Sequence, residues 1–262
     1  MDNLLQFPTS LHEQMAEVAA EFFTPRPQVD TILVVNSCAR GQATPESDLD
    51  MAVLVKPEVT QEEIRVLEGA WAGHLSAHPL TAEYKKSGRF AQVHLDAITA
   101  QYVPTVWDDG GGPDYFEVEI GNQVAHSAPL GEVGAYFQAL RARWLPYYGD
   151  ALQQERLEMV RSACEYDLEH VPFYAKRGLH FQAFDRLYKA HQEFLQALFI
   201  SRRAYPIAYN KWIREQVAGW LAAPELYAQL SKALSIHDLE NVSELESKAT
   251  FLRSLAREWL SR

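Results

Sequence analysis

Only two cysteines, Cys38 and Cys164, occur among 262 residues, and they form no CxxC pair. Thiols this few and this far apart exclude a disulfide framework and a cysteine-built structural zinc site, so a reducing compartment is expected. Basic charge is also scarce. There are 24 Lys and Arg against 35 Asp and Glu, a formal net charge of -11, whereas binding to a nucleic-acid backbone needs a positive footprint. A polynucleotide partner is therefore disfavoured. No uncharged stretch approaches the roughly 20 residues of a membrane span. The first residues, MDNLLQFPTSLHEQM, have neither a basic start nor a long apolar run, so a secretory leader is not expected. Internal repeats and low-complexity tracts are missing too. What remains is 47% apolar and 23% charged, the balance of an ordinary globular protein, expected to be cytoplasmic and to have no membrane partner.

The pattern along the chain predicts an α+β fold: a small mixed sheet with flanking helices, followed by an all-helical part. Thr9 or Ser10 caps a helix to about Phe23, stopped by Pro25 and Pro27. The β-branched run Thr31 to Val35 and the segment Asp50 to Val55 read as buried strands. Thr60 and Glu63 form a capping-box signature for a helix over 60–75, with Ile64, Leu67, Trp71 and Leu75 on one face. RFAQVHLDAI, residues 89–98, alternates as a strand and sets His94 and Asp96 on its polar face. Residues 108–113, DDGGGP, read as a flexible connector, and Tyr115 to Ile120 as another strand. From Gly131 onward strand signals vanish, and helices are expected over 132–145, 151–176, 180–203, 208–222, 224–235 and 242–261. Two domains, 1–130 and 131–262, are the expected organisation.

The chemistry concentrates in TILVVNSCARGQATPESDLDMAVLV, residues 31–55. A strand leads to an Asn36-Ser37 turn, a loop follows, and Asp48 and Asp50 flank Leu49 at the head of the next strand. Side chains two apart on a strand share a face, so both carboxylates can serve the same divalent cations. Nucleotidyl transfer uses two ions roughly 3.5 to 4 Å apart, one bridging the triphosphate and one lowering the pKa of the attacking hydroxyl. Asp96 is the candidate third ligand, and the turn offers N–H groups and the Ser37 hydroxyl to phosphates.

These residues resemble the nucleotidyltransferase superfamily that includes DNA polymerase β and the bacterial aminoglycoside nucleotidyltransferases. Its signature is Gly-Ser, nine to thirteen residues, Asp-x-Asp, and a later acidic residue on a strand. Here it reads NSCARGQATPESDLD and then HLDAI. Ala39-Arg40-Gly41 and Ser47-Asp48 are also family-like, whereas Asn36 stands where the family has glycine. Asn tolerates positive φ, so the turn is expected to survive. The resemblance implies catalytic and metal-binding roles for Asp48, Asp50 and Asp96, and nucleotide contacts from Asn36, Ser37, Arg40 and Ser47. It implies two Mg²⁺ ions, ATP as the nucleoside triphosphate, and a small-molecule hydroxyl as acceptor. ALFISRRAYPIAYNKWIREQV, residues 197–217, is similar to the helical half of aminoglycoside-modifying relatives and implies that Lys211 reaches the triphosphate, with Tyr205 and Trp212 lining a cleft. A protein side chain as acceptor, and a non-catalytic nucleotide-binding module, are the alternatives.

Other features are expected to be structural. His74 and His78 lack a third metal ligand and read as surface histidines, and GGG at 110–112 lacks the GK[ST] of a phosphate loop. Tyr166, Phe173 and Tyr174 read as packing between helices. Glu83, Glu117, Glu119, Asp167 and Glu193 are unranked candidates for substrate contacts.

Overall fold

The computed structural model describes residues 5–260, which form an α+β protein with one four-stranded mixed sheet and many helices. The chain separates into two compact units. One holds the residues up to Tyr102 together with Glu119–Leu145, and the other holds Val103–Val118 and the residues from Pro146 on. A single break near residue 131 was expected; the chain instead crosses between units after Tyr102, Val118 and Leu145.

The first unit begins with α1 (Ser10–Phe23), where the Thr9 hydroxyl accepts the His12 N–H and so fills the cap role. Next come β1 (Val29–Val34), the four-residue turn α2 (Asn36–Ala39) and β2 (Leu49–Val55). In α3 (Gln61–Ala77) both halves of the Thr60–Glu63 capping box are made, and Ile64, Leu67 and Trp71 are buried as their spacing predicts. A helix not foreseen, α4 (Pro79–Ser87), starts on Pro79, which suits a first turn because its missing N–H would have no helical partner. Then β3 (Val93–Ile98) completes the sheet's outer edge. With β4 (Ala128–Pro129) the strand order is β3-β2-β1-β4, with β2 parallel to β3 and antiparallel to β1. Ile32, Val34, Met51, Val53 and Val55 pack with Phe23 and Trp71 into one core, so apolar burial on this face fixes the register.

The expected strand Tyr115 to Ile120 is a helix, α5 (Phe116–Ile120), which runs into a π-helical turn at Gly121–Ala125. Asp114 Oδ1 accepts the Phe116 N–H at 3.3 Å and starts the turn. The apparent strand alternation misleads because Glu117, an unranked candidate for substrate contact, is fully buried against Arg156. Beyond it lie the two-residue strand β4 (Ala128–Pro129), paired with β1, and α6 (Ala135–Trp144). A register irregularity in β1 falls at Asp30, whose carboxylate accepts the N–H groups of Tyr136 and Phe137, both at 3.0 Å. Asp30 thereby caps α6 from another strand.

In the second unit, α7 (Asp150–Ala175) and α8 (His180–Ser201) form a helical hairpin. Leu168, Val171, Leu187, Phe194 and Leu198 bury against α9 (Pro224–Ala233) and α10 (Val242–Trp259) through Leu226 and Leu252. The helix expected over 208–222 shrinks to a π-helical segment at Arg214–Trp220. Trp212 has φ of 57°, which ends any incoming helix. The buried Gln216 amide accepts the Ile207 N–H and donates to the Ala208 and Lys211 carbonyls, stapling 207–211 as a loop. Phe173, expected in packing, is 49% exposed. In the supposed flexible connector, Gly110 is buried with φ of 70° and a Cβ there would overlap Arg186. Among the described residues no helix is long and apolar enough to cross a membrane.

Candidate active site

Asp48 ends the loop before β2, and Asp50 is the strand's second residue. Leu49 between them is fully buried, so it pins the strand while the two carboxylates stay partly exposed. The parallel register pairs Asp50 with His94 and Ala52 with Asp96. Asp50, His94 and Asp96 therefore share one face of the sheet, with Asp96 diagonal to Asp50 at a Cα separation of roughly 8 Å. His94, which the sequence reading did not select, places Nε2 at 3.7 Å from Asp48 Oδ2. The three aspartates thus occupy one rim. They do not close into a ligand set: among the described residues no group of three or more His, Cys, Asp or Glu could hold a metal ion.

Asn36 has φ of 55°, the left-handed conformation that asparagine tolerates. Its Nδ2 donates to Asp50 Oδ2 at 2.9 Å, so the residue that makes the turn also orients one of the acids. The Val35 N–H donates to the Asp50 carbonyl at 3.0 Å, tying the turn to β2. Ser37 follows, partly exposed, and its carbonyl accepts the Gln42 N–H at 2.9 Å. Arg40 is buried, 7% exposed, where the motif reading put a phosphate contact. The Ser47 hydroxyl accepts the Thr44 N–H at 2.9 Å and so closes the loop on itself.

Two residues that no motif marks hold this loop from behind. His12 Nε2 and the Tyr84 hydroxyl both donate to the Ser47 carbonyl, at 3.1 and 3.2 Å, and their rings meet edge-on at 5.0 Å. With Nε2 donating, Nδ1 is left to accept from the Thr9 hydroxyl at 2.8 Å, which describes a neutral imidazole. Burial lowers the His12 pKa and outweighs the Ser47 carbonyl and Asp48, which act to raise it. Helices α1 and α4 thereby fix the residue just before Asp48. No local sequence pattern marks either contact, because each joins residues far apart in the chain. Nearby, the Cys38 thiol is pushed up to about 12 by burial, then by Asp50 and Asp48. Both carboxylates act on one buried sulfur, and that sulfur stays a thiol.

In the helical unit Lys211 is exposed and sits in the bend before the π-helical segment. Trp212 beside it is 44% exposed, whereas Tyr205 is buried, its ring centroid 4.7 Å from that of Tyr147. Glu117 serves structure. It accepts from Arg156 Nε and Nη2 at 2.8 Å, from Gln196 at 2.9 Å and from the Tyr148 hydroxyl at 2.9 Å. Asp114 takes two further bonds from the same guanidinium, which holds Arg156 charged, its pKa raised by both carboxylates against the cost of burial. Glu83 and Glu119 are exposed, while Asp167 and Glu193 are buried. The chain matches no protein-family model and no curated protein.

Proposed function

We propose that the protein is a nucleotidyltransferase that moves a nucleoside monophosphate, AMP from ATP, to a hydroxyl of a small molecule and releases pyrophosphate. The observation that carries this reading is the pair Asp48 and Asp50 around buried Leu49, with Asn36 at positive φ bonded to Asp50. Carboxylate oxygens are hard donors that suit Mg²⁺, which is commonly held by one or two carboxylates and completed by substrate phosphates. A protein-only ligand set is therefore not required. Asp48 and Asp50 would hold the ions, with Asp96 on the same face as a further ligand. When bound, Mg²⁺ would neutralise the triphosphate and acidify the acceptor hydroxyl. The turn at 36–37 would place N–H donors and the Ser37 hydroxyl against phosphate oxygens, and Asp96 would take the acceptor's proton. Arg40, Ser47 and Lys211 are carried by the resemblance alone.

Asp50→Asn keeps an oxygen to accept from Asn36, so the fold should survive. It should lower Mg²⁺-dependent pyrophosphate release from ATP, measured across a panel of hydroxyl acceptors, by about a hundredfold or more. Turnover retained in this variant would sink the proposal. One observation favours a non-catalytic nucleotide-binding module instead: Asn36 already occupies Asp50 Oδ2. Calorimetry that finds ATP binding, with no pyrophosphate released for any acceptor, would select that reading.

A further inference from the structure

A cavity of about 200 Å³ lies wholly within the helical unit, lined by Trp107, Asp114, Met159, Glu193 and Gln196 among others. One water needs only about 10 to 15 Å³ by the same kind of measure, so there is room for a small organic molecule. Three acidic residues, Asp108, Asp114 and Glu193, are among those lining it, and no Lys, Arg or His is. Asp114 is committed to Arg156 and Gln196. Glu193 is not. It is 1% exposed, and neither of its oxygens has a hydrogen-bond partner. A buried carboxylate with no donor costs several kcal/mol if ionised, so either a proton or a cation is needed there.

We propose that this cavity binds a small organic cation, its primary ammonium paired with Glu193 and its carbon chain against Trp107 and Met159. The surroundings favour positive charge. Asp167, whose Oδ2 also lacks a partner, and the Cys164 thiol face Glu193 from α7. Arg186 and Lys189 on α8 are the opposing cations, but Arg186 bonds Asp167 Oδ1 at 2.6 Å and Lys189 bonds Asp185 at 2.8 Å. The Trp107 ring adds a face that attracts ammonium groups. Burial, reinforced by Asp167, pushes the Glu193 carboxyl up to about 8. An entering ammonium therefore displaces a proton. The site stands apart from nucleotidyl transfer, and its failure would leave that reading untouched.

The test is binding of n-butylammonium to the full chain, followed by calorimetry or ligand-observed NMR, with 1-butanol as the neutral isostere at matched ionic strength. Butylammonium should bind and butanol should not. Affinity should rise roughly tenfold or more from pH 6.5 to 8.5, because the ligand stays charged throughout while Glu193 ionises. Glu193→Gln should lose at least tenfold in affinity together with the pH dependence. If that variant misfolds, Trp107→Ala at an intact Glu193 should weaken binding severalfold. Equal binding of butanol, undiminished binding by Glu193→Gln or by Trp107→Ala, or no binding of butylammonium at pH 8.5 would each overturn the proposal.

Discussion

Asn36 shows how one side chain can serve backbone and site together. At φ of 55° most residues are strained, while its amide reaches Asp50. Asn36→Ala should therefore cost about 1 to 2 kcal/mol, since alanine meets the left-handed penalty and lacks the amide. Asn36→Gly removes the penalty but frees the unfolded chain, so its cost should stay within about 1 kcal/mol. Urea denaturation of the two variants checks the order, and an alanine variant as stable as the glycine one would refute it. The Asp-x-Asp spacing and the positive-φ turn were legible in the sequence because each has a local cause. The hold of His12 and Tyr84 on the Ser47 carbonyl was not, because it joins residues 35 and 37 positions apart.

Among the elements, those with their own end signals emerged as read. Thr60 and Glu63 made the capping box, and Leu49 to Val55 made the strand. Two segments defied their composition for tertiary reasons: Glu117 made its stretch helical by facing Arg156 instead of water, and Gln216 turned the start of an expected helix into a loop. No local pattern encodes either partner. The cap on α6 is of the same kind. The Gly134 N–H donates to the Thr31 hydroxyl, and a Cβ at Gly134 would overlap the Asp30 carboxylate. Gly134→Ala should destabilise by about 1 to 3 kcal/mol through overpacking, and Asp30→Ala by about 1 to 2 kcal/mol through the lost cap. Because both act on one contact, the double variant should cost less than the sum of the two. Additive melting shifts would contradict the shared contact.

For the molecule as a whole, two buried groups shape stability against pH from opposite sides. His191 is lowered to about 4 by burial and Glu193 raised to about 8. In the pH range where the unfolded chain protonates His191 and the folded one does not, stability falls as pH drops from about 6.5 to about 4. Glu193 keeps its proton in the fold after the unfolded chain has lost it, so stability falls as pH rises from about 4.5 to about 8. Where the ranges overlap the slopes cancel. Their joint contribution is a plateau between about pH 4.5 and 6.5, then an alkaline fall of about 1.4 kcal/mol per pH unit. Glu193→Gln should abolish that fall in thermal melts at pH 6.5 and 8, and a melt that drops equally in both proteins would argue against it. The reach of Asp30 has a consequence in time. Its carboxylate binds amides 106 and 107 positions later, and β4, which pairs with Leu33 and Val34 on the free edge of β1, lies nearly as far along. At roughly 5 to 20 residues per second of synthesis, β1 emerges many seconds before its neighbour. Throughout that interval its edge is open to any other chain. A fragment ending at Tyr102 should stay in that state, and light scattering should find it aggregating where the full chain does not.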